Sequence, residues 1–453
     1  MENKPIQENK MGVMPVGKLM VNMSLPMMAS MLVLALYNVV DSMFVAQISE
    51  NALTALSMAF PVQNLMVAIS AGLGVGLNAV LSRALGAKDH KAVARAAANG
   101  VFILLLCAAA FMLVGATCVR TFYEAQTDIA EIVESGVTYT TIVTVGSLGM
   151  FMQILFERLL QSTGRTVFAM TSQITGALIN IVLDPIMIFG LFGFPKMGVA
   201  GAALATVMGQ WIGSGVGMML CVKKNPEIPL SMKGFRPDGN MIRRILVIGI
   251  PSVIMQSIGS VMTFLMNQIL ISFSATAVAV FGVYFKLQSF VFMPIFGMNN
   301  GTVPIVAYNY GARRVDRMTK AIRYSITAAI TIMVAGMLVF HTATQPLLSI
   351  FDASDEMLRI GVPALRIISL SFPLAGFCIG CGTVFQALGY SIYSMIISMI
   401  RQMLVLIPCA FVIGKVTGDV TMVWYAFVIA EVFSLTLSII FFRRIHKNVI
   451  SKL

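Results

Sequence analysis

The chain has little charge. Of its 453 residues, 11% are Asp, Glu, Lys or Arg, where soluble domains carry roughly 25%. A water-soluble protein with so few charges could not cover its own surface. Histidine is scarce and scattered, at His90, His341 and His446, and no role is assigned to it. Cysteine is limited to six positions. Cys378 and Cys381 form C-x-x-C, but no second Cys or His pair lies nearby at ligand spacing, so they read as small residues packing in a helix. Gly72, Gly74 and Gly76 make G-L-G-V-G with no Lys following, which excludes a phosphate loop and an ATP-driven pump built on one. No His, Ser or metal constellation supports an enzyme, and no cofactor is expected. No repeated filter-like loop supports a channel. Lys and Arg are nowhere interleaved with aromatics, so the net charge of +12 does not read as a nucleic-acid surface.

Apolar residues make up 58% of the chain, and the mean hydropathy is +0.88. Runs of about 20 apolar residues are long enough to span a bilayer. Spans are expected at 19–46, 53–82, 96–119, 136–158, 166–191, 198–222, 244–272, 276–306, 322–345, 360–387, 391–414 and 420–442. Residues 1–18 are polar, and the apolar stretch that follows reads as a retained helix rather than a cleaved signal. The expected class is an all-α integral membrane protein of about twelve transmembrane helices, working as a monomer in membrane lipid. An even number of spans puts both termini on one side. With that side taken as inside, the inner segments hold 24 Lys and Arg and the outer ones four, Arg120, Lys196, Arg359 and Lys415. The acids Glu124, Asp128, Glu131, Glu134, Asp352, Asp355 and Glu356 fall outside. By the positive-inside rule both termini face the cytoplasm.

Shifted by 225 residues, the sequence matches itself. Pro26 meets Pro251, Phe60 and Gln63 meet Phe285 and Gln288, and Gly72 and Gly76 meet Gly297 and Gly301. Gly86-Ala87 meets Gly311-Ala312, and Gln161 and Gly164 meet Gln386 and Gly389. The expected plan is a tail at 1–18, an N-lobe at 19–222, a linker at 223–243, a C-lobe at 244–442 and a tail at 443–453. Parallel repeats of this kind are related by an axis along the membrane normal, and substrate sites usually lie at their interface.

Ionisable groups inside a membrane are costly and are functional candidates by default. Asp41 and Asp184 lie in the first half; Lys286, Arg366, Arg401 and Glu431 lie in the second. Asp41 stands about 35 Å along a helix from Lys18, and Asp184 about 28 Å from Arg165, at 1.5 Å per residue. Both carboxylates are therefore expected in the outer half of the membrane. Tyr37 and Asn38 share the face of Asp41, and Asn180 shares that of Asp184. Pro185 favours a bend beside it. Two acids and an amide at one depth suit a proton or a sodium ion, because neighbouring carboxylates in low dielectric repel. Helix capping near the interface is the plainer reading of each acid. The four ionisable groups of the second half are open between a compensated network, substrate contact and interfacial snorkelling.

The first span SLPMMASMLVLALYNVVDSMFVAQIS, the turn SRALGAKDHKAVARA and the fifth-span NIVLDP resemble the multidrug and toxic compound extrusion (MATE) family over nearly the whole chain. The closest likeness is to the bacterial branch that includes the MepA and DinF groups. The resemblance implies two six-helix lobes around a central cleft in a bacterial cell membrane. It implies a secondary antiporter that exports drugs or other small organic molecules in exchange for H+ or Na+. It assigns an N-lobe cation site to Asp41, Asn180 and Asp184, with Tyr139 and Thr206 as further members, and makes Pro26 the bending proline of the first span. Relatives coupled to sodium often carry acids on spans seven and ten; IPSVIMQSIGS and LSFPLAGFCIG have none, which moves the expected site to the N-lobe. The 35 Met and 29 Phe fit a permissive cavity, although most must be ordinary filler. Lys286, Arg366 and Arg401 keep a rival open, a lipid-linked precursor flippase of the same superfamily.

Overall fold

The computed structural model describes residues 8–230, 234–351 and 353–453, without the side chains of Ser42, Ala46 and Glu50. The first seven residues of the expected N-terminal tail, residues 231–233 of the linker and the outer acid Asp352 lie outside the described residues. Every regular element described is helical. Ten helices are long and apolar enough to cross a membrane, and two bent pairs bring the spans to twelve.

The spans of the first half are Val16–Ala46, Glu50–Gly86, His90–Thr117, the bent pair Ala130–Val145 with Leu148–Ser162, Thr166–Phe189 and Val199–Lys224. Those of the second half are Gly239–Ile271, Ala275–Gly311, Val315–Thr342, the bent pair Asp355–Ser369 with Phe372–Ala387, Ser391–Thr417 and Tyr425–Asn448. They are called spans 1 to 12 below. The 225-residue offset carries spans 2 and 3 onto spans 8 and 9 end for end. It also carries the caps: Ser49 accepts from the Ala52 N–H at 3.0 Å, and Ser274 from the Ala277 N–H at 3.1 Å. A hydroxyl there satisfies one of the N–H groups that a helix start leaves unbonded.

Span 3 begins at His90 and span 9 at Val315, six and seven residues before their expected starts. The apolar run stops at Arg95 and Arg323, but helical hydrogen bonding does not. Spans 4 and 10 depart from the expected continuous helices. Span 4 bends by 43° at Gly146–Ser147 and span 10 by 46° at Leu370–Ser371. Span 4 also runs to Ser162 rather than 158, so Glu157 and Arg158 lie within the helix rather than at its end, and both are buried.

Glycines set how the halves meet. Span 2 packs on span 7 with Gly72 against Val253 and Gly76 against Ile245 and Gly249; span 8 packs on span 1 with Gly297 against Met27 and Met28 and Gly301 against Met23 and Ser24. A β-carbon at any of the four would meet neighbouring backbone, so only glycine lets the helices come this close. Gly86 abuts the Tyr308 carbonyl and Gly311 the Arg83 carbonyl, the same contact seen from each half. The linker runs beneath the first half. Asn225 donates to the Leu159 carbonyl at 3.2 Å, Glu227 pairs with Arg165 at 3.6 Å, and Phe235 packs on Phe102 with ring centroids 5.7 Å apart.

Candidate functional site

Five spans of the first half bring their polar side chains to one place. Span 1 carries Asp41 five residues before its end, and span 5 carries Asp184 five residues before its end. The two carboxyl groups are neighbours. Asp184 is fully buried. Neither of its oxygens, nor Oδ1 of Asp41, meets a hydrogen-bond donor among the described residues. Two bare carboxylates in that position would repel, and a proton or a cation between them removes the repulsion.

The surroundings offer oxygen atoms. Asn180, one helical turn before Asp184, donates through Nδ2 to Thr206 Oγ1 on span 6 at 3.2 Å, and its own Oδ1 is buried without a partner. Tyr37 lies near Thr206 and both acids. Tyr139, on the first half of bent span 4, lies near Asp41 and Tyr37, and its hydroxyl accepts from Gln63 Nε2 at 2.9 Å. Gln63 had been singled out only as a repeat position. It is a neutral amide, and it joins this cluster through a contact between spans 2 and 4 that sequence does not carry. The Asn38 side chain is exposed on span 1.

The two prolines sit inside continuous helices. Pro26 has no N–H to give the Asn22 carbonyl four residues earlier. Thr166 of span 5 takes up that carbonyl, with Oγ1 at 3.4 Å. The break in the ladder of span 1 is thus bridged to the helix that carries Asp184. Pro185 lies directly after Asp184.

In the second half the four intramembrane charges do not form one network. Arg401 and Glu431 pair at 2.7 Å, with Arg401 in a π-helical stretch, Ile400–Leu406. Arg366 is exposed, and its Nε reaches Thr344 Oγ1 at 3.4 Å. Lys286 is exposed, with Nζ 5.8 Å from the Phe351 ring centre. The 225-residue offset sets Glu431 opposite Thr206. One half therefore holds a closed ion pair between spans 11 and 12, where the other holds the neutral Asn180–Thr206 contact beside two acids.

A second polar cluster lies where the halves meet. Arg158 donates to Gln161 Oε1 at 2.8 Å and to Asn300 Oδ1 of span 8 at 2.8 Å. The neighbouring Glu157 carboxylate accepts from Gln153 Nε2 at 3.1 Å. None of Glu157, Arg158 and Asn300 was among the expected site residues. Left-handed Gly164, at φ 82°, marks the true end of span 4. A glycine closing a helix there is the signal that would have extended the span past 158.

Twelve spans in two halves that repeat at one offset define a membrane protein of the repeat-built transporter class. The MatE family model matches the chain twice, over residues 26–186 and 251–412, segments that begin 225 residues apart. The chain belongs to the MatE family. Multidrug export protein MepA of Staphylococcus haemolyticus is 26% identical to it over 415 residues, 91% of this chain and 90% of the relative. The probable multidrug resistance protein NorM of Thermotoga maritima is 26% identical over 433 residues, 94% and 92% of the two chains. A solved structure described as the outward-facing conformation of a multidrug resistance MATE family transporter of the MOP superfamily superposes with a TM-score of 0.92 at 25% identity, covering 100% of both chains.

Proposed function

We propose that the protein is a secondary antiporter that exports drugs or other small organic molecules in exchange for H+ or Na+. The observation that carries this reading is the Asp41–Asp184 pair, two neighbouring carboxyl groups without a donor for Asp184 among the described residues. Such a pair has a use for one positive charge, taken from one side and released to the other. Asn180, Thr206, Tyr37 and Tyr139 supply neutral oxygens that suit a dehydrated sodium ion as well as a proton's hydrogen bonds. The loaded cation draws spans 1 and 5 together. Span 1 bends near Pro26, where its ladder is already interrupted, and the N-lobe cavity collapses and expels its substrate outward. A cation moved down a membrane potential supplies ~2.3 kcal/mol per 100 mV, enough for one or two cations to sustain a useful export gradient.

In this reading both tails and the linker 223–243 face the cytoplasm of a bacterial cell. The bonds between halves at Ser24–Met298, Arg158–Asn300 and Met11–Asn309 lie toward that side. The flippase reading rests on uncompensated basic groups. Arg401 is neutralised by Glu431, which leaves Lys286 and Arg366 to carry that alternative.

The test is dye efflux from liposomes containing the purified protein, under an imposed pH or sodium gradient. Wild type is expected to respond to one gradient, which names the ion, and Asp184→Asn to lose the response. Unchanged transport in Asp184→Asn would remove the N-lobe site. Dye that stays put under both gradients in wild type would favour a lipid-linked precursor as cargo.

A further inference from the structure

The two flanks where the halves meet are related by the same offset, but they are not covered alike. On one flank the linker lies over spans 3 and 7. Its Phe235 packs on Phe102, the Asp238 N–H donates to Asn99 Oδ1 at 3.0 Å, and the Asp238 carboxylate pairs with Arg95 at 3.3 Å. On the other flank, between spans 9 and 1, the counterparts of Arg95 and Asn99 are Lys320 and Tyr324. The segment before span 1 holds the linker's place here, and among the described residues it turns elsewhere: Glu8 pairs with Arg314 at 3.1 Å and the Met14 carbonyl accepts from Arg317 at 2.6 Å. Both side chains are exposed, and Lys320 has no ion pair among the described residues.

Below them runs an apolar groove of about 370 Å³. Leu25 and Met28 of span 1 and Met298 of span 8 form one wall; Tyr324, Ala328 and Ile332 of span 9 form the other. Lys320, Tyr324, Ala328 and Ile332 follow at steps of four, so they make one stripe on span 9. From Lys320 to Ile332 the stripe runs about 18 Å at 1.5 Å per residue, close to one leaflet of a hydrocarbon core about 30 Å thick.

We propose that this groove is a binding site for one anionic phospholipid of the leaflet on the side of the termini. The phosphate takes the place at Lys320 that Asp238 holds at Arg95, with the Tyr324 hydroxyl beside it. One acyl chain lies in the groove between spans 1 and 9. The occupant thereby does on this flank what the linker does on the other, joining the two lobes along their seam. A zwitterionic lipid offers the same chain but carries its own cation against Lys320, so it is held less well.

Native mass spectrometry of the detergent-purified full-length protein, titrated with phosphatidylglycerol and with phosphatidylcholine, tests this. Wild type is expected to retain phosphatidylglycerol in preference to phosphatidylcholine. Lys320→Ala, at an exposed position that folding does not need, is expected to lower phosphatidylglycerol retention about fivefold. Ala328→Trp, which fills the groove, is expected to abolish it. Arg95→Ala, on the flank the linker already covers, is expected to leave it unchanged. Equal retention of the two lipids, retention that survives both Lys320→Ala and Ala328→Trp, or an equal loss in Arg95→Ala would each overturn the proposal.

Discussion

The residues that count in this protein are the few polar ones that lipid would penalise, and their partners decide what each costs. Arg401 and Glu431 satisfy each other across spans 11 and 12 at 2.7 Å. Glu431→Leu is expected to remove about 3–5 kcal/mol of stability, because it leaves a cation in the core with no partner. The double variant Arg401→Met with Glu431→Leu is expected to recover most of that loss. Thermal unfolding in detergent compares the three. Thr206→Val is expected to cost about 1–3 kcal/mol by leaving the Asn180 amide without its acceptor, and to weaken gradient-driven transport with it. Asp41 and Asp184 stood out in the sequence because charges in apolar runs are rare, and Asn180 because it shares a face with Asp184. Gln63, Glu157 and Asn300 did not. A neutral amide raises no alarm, and an acid beside an arginine near the end of a hydrophobic run resembles a loop.

At the scale of the helix, glycine and proline do the positioning. Gly86 and Gly311 lie where spans 2 and 8 cross, each against the other helix's backbone carbonyl. Backbone cannot swing aside as a side chain can. Gly86→Ala and Gly311→Ala are each expected to lower stability by about 1–3 kcal/mol, read as a fall in the unfolding midpoint of the purified protein. Ala at Gly215 or Gly259, where a β-carbon meets open space, is the control and is expected to be near neutral. Helix limits were legible wherever hydrophobicity and turn chemistry coincide, as at Ser391. They were not legible where a helix continues into water, as at His90 and Val315. The bends of spans 4 and 10 were not legible either: hydropathy sees an unbroken apolar run, while Gly146 and Pro373 turn the axis.

For the whole molecule, the proposed antiport requires the two lobes to part on one side and close on the other. Asn64 of span 2 and Ser260 of span 7 bond across the seam at 2.6 Å. Asn64→Cys with Ser260→Cys, in a background lacking the native cysteines, offers a site for a short cleavable thiol cross-linker. Cross-linked protein in liposomes is expected to stop exporting dye, and cleavage of the link to restore export. Full export by the linked protein would mean that the halves work without moving at this seam.

The sequence by itself determined that the chain lives in lipid, because 11% charge leaves no other solvent. It also determined that the chain is a doubled unit, because one offset relates prolines, glycines and turns across both halves. Both properties are written along the chain, in composition and in period. Which carboxylates meet, which charge neutralises which, and which flank the single linker covers were decided only in three dimensions. Asp41 and Asp184 are 143 residues apart in the chain, and nothing local to either one states that the other is its neighbour. Arg95 and Lys320 occupy equivalent places in the repeat, and only the path of the linker gives one of them an acid.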